Sequence, residues 1–172
     1  MLKRIFPVGR RSLIFGVHQF LWHPFVVYLA WLKLFGRPSW KEMICIFIHD
    51  LGYWNCCDIE GKEGLKHPEL GARIARVFLG PEYVELCLYH SRSYASMIGV
   101  RPSKLCYADK LSIAYEPWWF YLARAWLSGE LFEYRSRAAA EHHIPKSASH
   151  RSWFEWIKEH LSGVGQKNIQ QG

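Results

Sequence analysis

Proline and glycine interrupt this chain at intervals of about one helix, and between them the apolar residues recur near the 3.6-residue helical period. Pro24 can open a helix that carries Val27, Ala30, Trp31 and Leu34 on one face and closes at Gly36 and Pro38. Ser39 and Glu42 have the spacing of a capping box ahead of the apolar run Met43 to Ile48. That run reads as a central helix, buried all round, ending at His49 and Asp50 with Gly52 as a left-handed cap. Pro68 restarts the chain with Leu70, Ile74, Val77 and Phe78 on one face, and Gly80 and Pro81 restart it again toward His90. Pro102 opens a helix in which Leu105 and Asp109 share a face, and aromatic helical stretches follow at roughly 116–128 and 152–161. No stretch sustains the period-two alternation of strands, so the fold class is all-α.

Half of the 172 residues are hydrophobic, enough to enclose a sizeable core in one helical domain over residues 1–161, with a polar, disordered tail expected over 162–172. The 22 Lys and Arg exceed the 15 Asp and Glu by seven, which favours an anionic partner. Five cysteines without a CxxC pair suit a reducing cytoplasm rather than a disulfide framework. The uncharged run Leu13 to Leu32, preceded by Lys3, Arg4, Arg10 and Arg11, is about long enough to span a bilayer. His18, Gln19, His23 and Pro24 in its middle argue for a buried helix instead, with peripheral membrane contact as the rival reading.

The nine histidines and three aspartates are distributed unevenly. His23, His49 with Asp50, His67, His90 and Asp109 follow one another at 26, 18, 23 and 19 residues, each near an expected helix end or on an inner face. Successive helices can thus deliver one ligand each to a common centre. Imidazole and carboxylate together suit iron, manganese or zinc, and a carboxylate can bridge two ions. Adjacent helical residues diverge by about 100°, so His49 can hold one ion while Asp50 reaches between two. His18 competes with His23 for the first position.

This ordered set, with IFIHDLGYW, HPELGARIA and YHSRS around it, resembles the HD superfamily of metal-dependent phosphohydrolases. The resemblance implies a helical bundle around two metal ions, iron or manganese, held by His23, His49, Asp50, His67, His90 and Asp109, with Asp50 bridging. The stretch from His90 to Pro117, with Asp109 followed by Lys110 and with Glu116 before Pro117, is similar to bacterial symmetrical diadenosine tetraphosphatases. That implies hydrolysis of a phosphate ester or phosphoanhydride of a small molecule such as a nucleotide. HPELGA also resembles the HD-type mixed-valent di-iron oxygenases, a second reading. The chain departs from many HD enzymes in having Tyr53 where they place a lysine three residues after the doublet.

Arg92 and Lys110 are the candidate contacts for an anionic substrate. The run Trp118 to Tyr121 is assigned to packing, and adjacent Cys56 and Cys57 receive no role. His142, His143, His150 and His160 are read as exposed. Arg135, Arg137, Lys146 and Arg151 form a basic stretch without a nucleic-acid motif, so nucleic acid ranks below a small-molecule substrate as a partner. A third reading is a non-catalytic HD-like protein that binds an anionic ligand or a membrane surface.

Overall fold

The computed structural model describes residues 6–142, 144–145 and 147–167, and these are helical with no strand. The helices are α1 (Val8–Phe15), α2 (Trp22–Phe35), α3 (Trp40–Ile48), α4 (Lys62–Leu65), α5 (Pro68–Phe78), α6 (Val84–Leu88), α7 (Arg92–Met97), α8 (Lys104–Ser112), α9 (Trp118–Ser128), α10 (Glu130–His142) and α11 (His150–Lys167). Short 3-10 turns at Leu51–Asn55, Pro81–Tyr83 and Ile113–Tyr115 join several of them.

The punctuation acts much as the sequence suggests. Gly36 ends α2 with a positive φ of 76°, where a side chain would be strained. The Ser39 hydroxyl accepts from the Glu42 N–H and the Glu42 carboxylate from the Ser39 N–H, completing the box at the start of α3. Three apolar clusters result; the smallest joins Val8 and Leu13 of α1 to Tyr53, Cys56 and Ile59, and the other two are larger. One joins Val27, Ala30 and Trp31 of α2 to Cys45 and Ile46 of α3, Ala72 and Ala75 of α5, and Leu105, Ala108 and Leu111 of α8. The other gathers Tyr121 and Ala125 of α9, Leu131 and Ala138 of α10, and Trp153 and Phe154 of α11. Each large apolar side chain buried here contributes about 1.5–3 kcal/mol. Helix α8 packs against both α2 and α11 and so lies between the two larger clusters.

Several expectations are corrected. Helix α3 is buried only at Cys45 and Ile46; Ile44 and Phe47 are exposed, because it lies at the surface of the bundle. Val77 and Phe78 are 73% and 76% exposed, and the buried residues of α5 are Pro68, Gly71, Ala72 and Ala75, with Leu79 buried just beyond its end. Gly52 belongs to a 3-10 turn and is not among the positive-φ glycines. The Leu13 to Leu32 run is broken between α1 and α2, and no helix among the described residues is long and apolar enough to cross a membrane. Helix α11 continues through Lys167 instead of ending near Leu161, so 162–167 are not the expected unstructured tail; 168–172 lie outside the described residues, as do His143 and Lys146.

Candidate metal centre

Five segments converge on one buried spot: the start of α2 (His23), the turn after α3 (His49 and Asp50), the residue before α5 (His67), the turn after α6 (His90) and the second turn of α8 (Asp109). Two glycines make the convergence possible. A Cβ on Gly71 would lie 2.8 Å from the Ile48 carbonyl oxygen and 3.1 Å from His49 Cα, so its absence lets α5 press against the end of α3. A Cβ on Gly52 would collide with the His67 carbonyl oxygen. These close approaches bring the His-Asp doublet against His67.

Asp50 is the centre of the cluster. Its Oδ1 stands 3.4 Å from His67 Nε2 and 3.3 Å from His90 Nε2, and its Oδ2 stands 3.2 Å from the Nε2 atoms of both His23 and His49. Asp109 Oδ1 joins the second group, 3.1 Å from His23 Nε2. One carboxylate therefore presents its two oxygens to two different sets of histidines, the disposition of a bridging ligand.

The proton inventory is informative. His49 Nδ1 donates to the Ile46 carbonyl at 2.7 Å, and His67 and His90 Nδ1 donate to the Gly64 and Cys87 carbonyls, each at 2.5 Å. A carbonyl can only accept, so each Nδ1 carries the hydrogen and each neutral ring aims an Nε2 lone pair at the centre. His67 Nε2 and His90 Nε2 are 2.9 Å apart, two acceptors face to face. Two nitrogens bonded to one ion at about 2.1 Å and at right angles are separated by about 3 Å. His23 Nε2, His49 Nε2 and Asp50 Oδ2 are buried yet make no well-aligned hydrogen bond, although such groups ordinarily find a partner. The donor set, its orphaned atoms and its carbonyl-anchored imidazoles all fit metal ions.

Burial and the two carboxylates set the charge on each ring. Burial disfavours charge on His23, but Asp109 and Asp50 outweigh it and raise its pKa to about 10. Burial lowers His49, and burial together with the adjacent His90 holds His67 well below the usual range. Burial opposes the charge on Asp109 too, yet Lys110 and His23 keep it well below the carboxylate range. Asp50 is likewise held down against burial by His49, His18 and His23.

Lys110 Nζ lies 2.8 Å from Asp109 Oδ2, fixing that carboxylate with Oδ1 turned toward His23. Arg92 is exposed at the start of α7, and among the described residues no hydrogen bond or ion pair joins it to the cluster. His18 does not point into the carboxylates as His23 does: its Nδ1 is 3.0 Å from Glu130 Oε1, while its ring touches His23 edge-on and Tyr53, which stacks on His67 with centroids 4.0 Å apart. Cys56 is buried, its thiol donating to the Asp58 carbonyl at 3.0 Å, and Cys57 is exposed. Among the distal histidines His150 is exposed and His160 stacks on Trp156. Arg137 pairs with Glu60, and Arg135 donates to the Ala148 carbonyl.

The sequence reading missed the scaffold behind the centre. Glu130, fully buried, accepts from Ser12, Tyr134 and Ser128 hydroxyls, the Val17 N–H and His18. Glu116 and Arg124 form a buried bidentate pair at 2.6 Å, and the Trp22 indole donates to Glu116 at 3.0 Å, immediately before His23. The only sequence signal was two acids within or beside aromatic runs. In comparison with known proteins, no family model, curated protein or solved structure matches this chain.

Proposed function

We propose that this chain is a two-metal hydrolase that cleaves a phosphate ester or phosphoanhydride of a small molecule such as a nucleotide, with iron or manganese as the metal. The observation that carries the reading is the buried cluster divided by Asp50: His67 and His90 face one of its oxygens, His23 and His49 the other, and the Nε2 atoms of His49, His67 and His90 can only accept. Buried lone pairs at contact distance repel unless cations lie among them. Ions held there by His23, His49, Asp50, His67, His90 and Asp109 would supply hydroxide from water and charge to hold a phosphoryl group.

The chain's own residues then have distinct tasks. Asp50 holds the two halves in register, and the Ile46, Gly64 and Cys87 carbonyls fix the planes of three imidazoles. Lys110 orients Asp109 and places a cation beside the centre, where an anionic substrate benefits from it. Exposed Arg92, two residues beyond His90, is the candidate outer contact to such a substrate. Tyr53, stacked on His67, shields one flank from water. The resemblance to HD phosphohydrolases favours hydrolysis over other two-metal chemistry.

The test is elemental analysis of native protein, followed by phosphate release from a panel of nucleotides and phosphonates after anaerobic loading with iron or manganese. Two ions per chain with phosphate release is expected. A substoichiometric metal content that loading does not raise overturns the proposal, and oxygen uptake with substrate in place of phosphate release moves the chain to the oxygenase reading.

A further inference from the structure

Three of the four imidazoles at the centre are anchored through Nδ1 to a backbone carbonyl, those of Ile46, Gly64 and Cys87. His23 is the exception. Its polar contacts run through Nε2, to Asp50 Oδ2 at 3.2 Å and Asp109 Oδ1 at 3.1 Å, and among the described residues no hydrogen bond reaches its Nδ1. Because this ring stands against both carboxylates, its tilt matters to the whole centre. What meets it is the ring of His18, edge-on, with centroids 5.4 Å apart and planes at 75°.

His18 is itself tightly held. Its Nδ1 lies 2.8 Å from Ser12 Oγ and 3.0 Å from Glu130 Oε1, and its backbone N–H donates to Ser12 Oγ at 3.2 Å. The Ser12 hydroxyl gives its own hydrogen to Glu130 at 2.7 Å and an ionised carboxylate only accepts, so His18 Nδ1 is a donor to this pair. The connection from α1 to α2 wraps the same carboxylate: the Val17 N–H donates to Oε2 at 2.8 Å, and Gly16 has no room for a Cβ beside it. The His18 ring also meets Tyr53, centroids 4.6 Å apart, and Tyr53 stacks on His67. One clamped ring therefore touches a histidine of the Oδ2 group directly and one of the Oδ1 group through Tyr53.

We infer that His18 is a positioning residue of the metal centre: clamped by Glu130, its ring sets the plane of His23 as the three carbonyls set the planes of the other imidazoles. The inference rests on the two-metal reading and adds a residue outside the six ligands. Groups that orient a ligating histidine in this way are worth about 10–100-fold in metal affinity.

Manganese titration followed by electron paramagnetic resonance distinguishes a spin-coupled pair of ions from a single ion without any turnover. The unaltered protein should show the coupled pair. His18→Asn keeps an N–H for Glu130 and removes the ring; the metal-free Tm should stay close to that of the unaltered protein, while the ion on the His23 side binds about 10–100-fold more weakly and the coupled signal gives way to that of one ion. His18→Phe keeps a flat ring and gives up the bond to Glu130, so Tm should fall with the coupled signal retained. Ala138→Gly, in the second cluster on α10, lowers Tm through the backbone alone and should leave the signal unchanged. A coupled pair of unchanged affinity in His18→Asn, or an equal loss in Ala138→Gly, overturns the inference. A protein that binds the pair but releases no phosphate contradicts the hydrolase reading alone, whereas an unaltered protein that binds no manganese overturns both.

Discussion

Gly71→Ala sets two effects of known size against each other. In a helix interior Ala is favoured over Gly by roughly 1 kcal/mol. Against this, the added methyl would lie 2.8 Å from the Ile48 carbonyl oxygen and 3.1 Å from His49 Cα, where comfortable carbon contacts begin at about 3.5 Å. Both neighbours are backbone at the end of α3, so no rotamer change relieves the overlap and α5 must withdraw by roughly half an ångström. Overpacking of this kind costs about 1–3 kcal/mol. The net expectation is a loss of about 1 kcal/mol, which lowers Tm by about 2–4 °C for a chain of this size. The site should suffer more than the fold. His67 immediately precedes α5, and a shift of about 0.5 Å is the limit within which a ligand constellation still works. Metal affinity is expected to fall about 10–100-fold. Calorimetry gives the first quantity and competition with a chromophoric chelator the second. A raised Tm with unchanged affinity would show that the close crossing of α5 and α3 does not position the centre.

Asp50→Asn keeps the shape and removes the charge, and both ions should be lost on gel filtration; retention of one full equivalent would show that Asp50 does not bridge. In the metal-free protein the His23 pKa, raised from 6.5 to about 10, makes a contribution to stability that is complete below pH 6.5 and fades as pH rises through 10. Because a metal takes the neutral imidazole, uptake should release a proton and affinity should climb with pH across that window, checked by calorimetry in buffers of different ionisation enthalpy; a pH-independent affinity refutes it. Glu130→Gln turns an amide N–H₂ toward donors such as the Val17 N–H and should cost about 1–3 kcal/mol in urea unfolding. An unchanged midpoint would mean that the buried network is dispensable.

The helix boundaries were legible because Pro24, Gly36, Ser39, Pro68 and Gly80 act locally, through fixed φ, a positive φ or a cap. So was the convergence of four His and two Asp, since residues at successive helix ends face a shared interior. What was not legible depends on long-range packing. Nothing near Phe47 or Val77 announces that those faces lie outside the bundle, because an apolar residue at helical spacing looks the same whichever way the helix is rolled. The choice between His18 and His23 rested on Glu130, 112 residues from His18 and held by donors from three other segments. Lys110 and Arg92 are equal in sequence as cations beside site residues, yet one touches Asp109 and the other is solvated. Helix α11 past Leu161 lacks the continuous apolar face that would have marked it.

Apart from His49 and Asp50, no two of the six side chains around the centre are near neighbours in sequence, and each comes from a different segment between His23 and Asp109. A cation held there would act on the unfolded chain as a cross-link does, closing successive loops of 18 to 26 residues. Cross-links over loops of that length are worth about 3 kcal/mol each in chain entropy. Metal starvation would then be felt first as fewer surviving molecules, cleared by proteolysis, whatever task the centre performs.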